Sequence, residues 1–213
     1  MKMYSSLRSF RHIIIAVMLL TLGALPAAAL ERTASSTADH TQFKQLQGPF
    51  ASGPEVTQAC LGCHTQAAQQ LQQTTHWTWE FEHPTTGQML GKRHVVNSFC
   101  GSAASNEPFC TSCHTGYGWG DMRQPPPAAE SAVDCLICHD TTGGYKKSPT
   151  GAGHPIYEFA DPLNPSQKRT TNLANIAQKI GATSSQNCGS CHFYGGGGDG
   201  VKHGDLDSSL LTA

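Results

Sequence analysis

One apolar run interrupts an otherwise polar chain: Ile13 to Leu25, preceded by Lys2, Arg8 and Arg11 and followed by Ala27-Ala28-Ala29. A basic head, an apolar centre and a small-residue end are the parts of an export signal, here spanning residues 1–29. The run is shorter than the roughly 20 residues a bilayer span requires, and no second stretch approaches that length. The processed chain is therefore expected to have no stable membrane span and to reside outside the cytoplasmic membrane, most simply in a bacterial periplasm.

Beyond the signal, hydrophobic positions are sparse and only two stretches carry a helical pattern. After a polar lead over residues 30–53, Pro54 stands where a first helical turn begins, and Glu55 to about Thr75, rich in Gln and Ala, predicts the clearest helix. Leu173, Ile176 and Ile180 share a helical spacing within Ser166 to Lys179, with Gly181 placed to end that helix. Thr78 to Ser105 lacks periodicity and holds the turn pairs His83-Pro84 and Thr86-Gly87, so it reads as a loop. Thr141 to Pro155 and the glycines 195–198 read as loops too, and Pro125-Pro126-Pro127 as an extended spacer. The last residues, Ser208 to Ala213, carry no helix or cap signal.

Composition agrees with so little regular structure. Hydrophobic residues make up 38 % of the chain, and 22 glycines and 12 prolines leave an ordinary aliphatic core hard to assemble. The pattern predicts one domain over residues 54–213: mainly α, with extensive irregular loops and little sheet.

Cysteine usage supplies what the side chains lack. Eight of nine cysteines fall in four copies of Cys-x-x-Cys-His: Cys60, Cys63 and His64; Cys110, Cys113 and His114; Cys135, Cys138 and His139; Cys188, Cys191 and His192. Two thiols at this spacing can add across the vinyl groups of one haem while the adjacent histidine reaches its iron. A single copy could equally be half of a zinc site or a redox dithiol; four copies, each with the histidine in the same place, cannot. The sequence thus predicts four covalently attached haems c. Their macrocycles would supply the missing core, and without them the polypeptide is not expected to fold. Cys135 follows His114 by only 21 positions, which is expected to keep the second and third haems close.

Each iron has a second axial position. Six histidines lie outside both the motifs and the signal: His40, His76, His83, His94, His154 and His203. Only Met89 and Met122 remain as thioether donors, so bis-histidine ligation is expected to dominate, with low potentials. His76, His94, His154 and His203 rank first as distal ligands and His83 next. His40 ranks last, because it lies in a lead segment expected to be mobile.

The chain's formal charge is −1, and loss of the signal's three basic residues takes it to −4. That excludes a nucleic-acid partner, which needs a basic face. It favours redox partner proteins, quinol-linked or soluble, and small inorganic solutes.

Several longer words lie around the motifs: His76-Trp77-Thr78-Trp79-Glu80, Asn106 to Trp119, Val133-Asp134-Cys135 to Gly143, and Cys188 to Gly195 running on to His203-Gly204-Asp205-Leu206-Asp207. In these the chain resembles the octahaem tetrathionate reductase family over most of residues 55–207. The resemblance implies a periplasmic reductase of tetrathionate, nitrite and hydroxylamine. It also implies one catalytic haem, placed here at the second motif, ligated by a lysine from outside the motif so that one face of the iron stays open. Lys146 and Lys147 are the candidates for that ligand. Cys100, the ninth cysteine, is a small buried residue or a thiol facing the open haem. Family members carry eight attachment sites and this chain four, ending 21 residues after His192. A tetrahaem electron shuttle and a truncated piece of the reductase are therefore the alternative readings.

Overall fold

The computed structural model describes residues 37–94, 107–193, 199–200 and 204–212. The chain divides into a unit of Met1–Thr33, outside the described residues, and a unit of Ala34–Ala213. The expected export signal, Cys100 and His203 lie outside the described residues. No described helix is long and apolar enough to cross a membrane.

The second unit is mainly helical with little sheet, as the sequence predicts. Its helices are α1 (Gly53–Leu61), α2 (Ala67–Gln72), α3 (Thr75–Thr78), α4 (Glu107–Cys110), α5 (Leu136–His139), α6 (Leu173–Gln178) and α7 (Ser185–His192). Two antiparallel ribbons complete it: β1 (Phe81–Glu82) with β2 (Met89–Leu90), in register Phe81 to Leu90, and β3 (Glu158–Ala160) with β4 (Lys168–Thr170), in register Phe159 to Arg169.

The long helix expected from Glu55 to Thr75 is divided into three. Pro54 lies in the first turn of α1, and the Glu55 carboxylate accepts from the Ala51 amide at 2.8 Å. At the first motif the amides of Cys63 and His64 both fold back onto the Cys60 carbonyl, at 3.0 and 2.9 Å, and the helix stops at Gly62. Later the Thr74 hydroxyl takes the Leu71 carbonyl at 2.7 Å, separating α2 from α3, and Trp79 ends α3 with φ 56°.

The second predicted helix is shorter than expected. Lys168 to Thr170 pair with β3 instead, fastened by Lys168 to Glu158 at 3.0 Å and Arg169 to Asp161 at 2.5 Å. Helix α6 starts only at Leu173, where the Asn172 side chain accepts from the Asn175 amide at 2.9 Å. The 3-10 turn at Ser208–Thr212 was not signalled by the sequence.

A modest side-chain core exists after all, which corrects the expectation from composition. Leu46, Val56, Leu136, Ile137, Tyr145, Leu173, Ile176 and Ala177 form one cluster, and Ala68, Trp77, Ala132 and Val133 a second. Each buried aliphatic side chain contributes roughly 1.5–3 kcal/mol. The lead segment is likewise not loose. His40–Gln42 and Lys44–Leu46 are 3-10 turns, Leu46 is 4 % exposed in the first cluster, and Gln178 donates to the Leu46 carbonyl at 2.9 Å.

Candidate functional site

The four motifs gather in two groups. Cys60 and His64 of the first motif share a cavity of about 690 Å³ with Cys135, Cys138 and His139 of the third. There the neighbouring Cys60 and Cys135 thiols act on each other, which lowers the Cys60 pKa and, with burial, raises that of Cys135, while the Cys135 thiol donates to the Thr57 hydroxyl at 3.9 Å. Burial first, then the nearby Asp134, pushes Cys138 up to about 11.

The second and fourth motifs meet on the other side of α5. Cys110, Cys113 and Cys191 line a cavity of about 410 Å³ together with Ile137, Lys146 and Lys147. A neighbouring cavity of about 370 Å³ is lined by Cys113, Cys191, His192 and His76. The Cys191 pKa is raised, first by its hydrogen bond to Cys113 and then by burial. Helix α5 thus divides the chambers, with Ile137 facing one and its flanking cysteines the other. The second and third motifs are also neighbours through the backbone, where Tyr117 donates to the Ala132 carbonyl at 2.7 Å and Asp134 to that of Thr115 at 2.9 Å.

The motif histidines are held in different ways. His139 Nδ1 lies 2.9 Å from the Gly181 carbonyl oxygen and His192 Nδ1 2.5 Å from that of Gly204. A ring that donates through Nδ1 to a carbonyl presents Nε2 as its ligating nitrogen. His64 is exposed. His114 is turned the other way: its Nε2 meets the Trp77 carbonyl oxygen at 2.8 Å, and Nδ1 is buried without a hydrogen-bond partner. Trp77, Trp119 and Trp79 wall the ring at centroid distances of 4.7, 4.8 and 5.5 Å. Burial, with Lys147 adding to it, lowers the His114 pKa to about 4, so the ring is neutral.

Behind that ring lies a buried ion pair. Lys147 Nζ stands 2.8 Å from Asp134 Oδ2, with the carboxylate fully enclosed and the lysine side chain 9 % exposed. Its other donors reach the carbonyls of His114 and Gly153, each at 2.7 Å. Asp134 further accepts from Tyr117 at 2.8 Å, Tyr145 at 2.9 Å and the Ile137 amide at 3.2 Å. Gly153 has φ 88°, and a Cβ there would overlap the Gly116 carbonyl, so only glycine brings this carbonyl to the lysine. Lys146, by contrast, is exposed.

The remaining predicted ligands scatter. His76 faces His192 edge-on with centroids 6.1 Å apart. His94 pairs with Glu80 at 2.7 Å, and His83 Nδ1 accepts the amides of Thr85 and Thr86 in its own turn, both at 3.3 Å. His154 stacks on Tyr117 at 5.3 Å and bonds Tyr157 at 3.2 Å; burial lowers its pKa. His40 lines the cavity of the first and third motifs.

These donors suit a large, flat, iron-bearing group. Six of the eight motif cysteines, Cys60, Cys110, Cys113, Cys135, Cys138 and Cys191, border cavities in the range of cofactor pockets. His76 and His192 line one of these cavities together, with ring centroids 6.1 Å apart, and would be available to an iron held there. Sequence reasoning missed Asp134 and the tryptophan cage as working parts. Their signal was an acid directly before Cys135 and the pair Trp77 and Trp79 beside His76.

A family model described as cytochrome c554 and c-prime matches residues 59–140, from the first motif to the third. Among solved structures the chain is similar to the octaheme cytochrome c from Shewanella oneidensis, with 46 % identity and a TM-score of 0.61. That likeness covers 82 % of this chain and 36 % of the other, so the chain spans about a third of that protein's length. No curated protein matches.

Proposed function

We propose that this multihaem c-type cytochrome, an electron carrier by its likenesses, holds four haems c at its four motifs and delivers electrons to a small inorganic oxidant. The oxidant is tetrathionate, nitrite or hydroxylamine, and the site is the second motif, where Lys147 would hold the iron. One observation carries this reading: Lys147 borders the cavity of Cys110 and Cys113, while His114, the motif's own histidine, has its Nε2 committed to the Trp77 carbonyl. When bound, haem would supply an iron that takes up and gives out single electrons.

The chain's own residues do the rest. Asp134 Oδ2 at 2.8 Å and the carbonyls of His114 and Gly153, each at 2.7 Å, would orient the Lys147 side chain. The tryptophans exclude water from the His114 side. Cys60 against Cys135, and Cys113 against Cys191, bring the motifs into a first–third and a second–fourth pair. The short spacing this implies is what electron transfer between attached groups needs. In this reading the chain works in the periplasm and is refilled by quinol-linked or soluble donors. As it spans about a third of its structural relative, further haems would complete the path.

The test is spectroscopic. Haem-loaded wild-type protein is expected to show one high-spin ferric signal that nitrite, hydroxylamine or cyanide perturbs. Lys147→Leu is expected to alter that signal and abolish reduction while four haems remain by intact mass. A second reading, an electron shuttle with every iron six-coordinate, is favoured by the three acceptors around Lys147, which suit a structural ammonium. Wholly low-spin spectra, indifferent to these ligands, would support it.

A further inference from the structure

We propose that His40 is the second axial ligand of an iron held in the chamber shared by the first and third motifs. The inference rests on haem attachment at those motifs and adds to it a ligand that the sequence ranks last.

Three histidines line this chamber: His64, His139 and His40. The first two directly follow the second cysteine of their motifs and are confined to the near side of whatever those thiols hold. A ligand for the opposite face has to come from another part of the chain, and among the described residues His40 is the histidine that meets this requirement. His76 lines the other chamber beside His192. His83 is bound within its own turn, His94 is paired with Glu80, and His154 packs on Tyr117 and Tyr157.

The segment around His40 is built to hold the ring still. Asp39 caps the turn by accepting the Thr41 amide at 3.0 Å and its hydroxyl at 2.5 Å. His40 Nδ1 lies 3.1 Å from the Ala38 carbonyl oxygen, the arrangement that sets Nε2 as a ligating nitrogen, and the ring meets Phe43 edge-on at 5.6 Å. Two further contacts fix the segment over the chamber: Gln45 Nε2 reaches Cys63 Sγ at 3.6 Å, and buried Leu46 joins the core beside α6. A half-buried histidine held by a cap, a carbonyl and an aromatic edge, above two attachment motifs, is placed as a ligand is placed.

The test uses exported, haem-loaded full chain with His40→Gly or His40→Met. Intact mass counts the haems first; fewer than four on the wild type would defeat the haem reading itself, separately from this proposal. With four present, His40→Gly is expected to convert one low-spin ferric haem to high spin in absorption and paramagnetic resonance, and added imidazole is expected to restore it. His40→Met is expected to stay low-spin and raise the potential of one haem, since methionine ligation raises it. Spin states and potentials identical to wild type in both variants would overturn the proposal. So would a variant that loses haem without gaining a high-spin signal, because that is the behaviour of a merely structural residue.

Discussion

Replacing Lys147 by leucine isolates the buried ion pair behind the second motif. The lysine lies 2.8 Å from Asp134 and both groups are out of solvent, so the variant leaves a carboxylate held by Tyr117, Tyr145 and the Ile137 amide with no countercharge. Removing one partner of a buried pair costs about 3–5 kcal/mol, against about 0–1 kcal/mol for an exposed one. Asp134→Asn removes the countercharge from the other side, keeps an amide oxygen for the tyrosines, and is expected to cost about 3 kcal/mol. The double variant leaves neither charge, so its loss should fall short of the sum by about 1.5–3 kcal/mol. Denaturant unfolding of the haem-loaded proteins, run as a double-mutant cycle, measures this directly; coupling of this size belongs to Lys147 as a structural ammonium, the shuttle reading, since a Lys147 bound to iron carries no charge. Single losses under about 1 kcal/mol, or additivity within about 0.5 kcal/mol, would refute the ion pair as drawn.

Two further outcomes follow from named contacts. The folded-state pKa of His114, about 4, is depressed below the usual 6.5, so the unfolded chain binds the extra proton first as pH falls. Stability should therefore decline from about pH 6.5 to about pH 4, by at most roughly 3 kcal/mol, and level off below; pH-resolved unfolding of wild type and His114→Gln checks that the difference vanishes in the variant. In the capping box of α7, Ser184 accepts the Asn187 amide and Asn187 returns the bond to the Ser184 amide at 3.0 Å, so Ser184→Ala should lose about 1 kcal/mol in the same unfolding assay.

Much of this was legible from the chain alone, for reasons that can be named. Repeated Cys-x-x-Cys-His is a covalent rule and needs no tertiary context. The scarcity of apolar residues, with abundant glycine and proline, signalled few helices and little sheet, and Pro54 marked the start of α1. The break after Cys60 was not legible, since Gln and Ala favour helix throughout; the turn at the first motif overrides that preference. Nor was β4, because Lys168 to Thr170 become a strand only when Glu158 and Asp161 offer counterions across the ribbon. The docking of the segment around His40 was not legible, because polar composition says nothing of it and one leucine, Leu46, anchors the whole stretch. Lys147 and Lys146 are adjacent and identical in type, yet the fold encloses the first and exposes the second. No local pattern separates them.

The bond from Gln178 to the Leu46 carbonyl joins positions 132 apart, and it has a bearing on the order of assembly. Closing so large a loop is entropically slow and comes after local turns have formed. In a chain exported from its first residues onward, the stretch carrying His40 emerges early but has no partner on α6 until residue 178 has followed it. During that interval the latch to α6 is open, so a modifying enzyme meets Cys60 before the core beside it has closed.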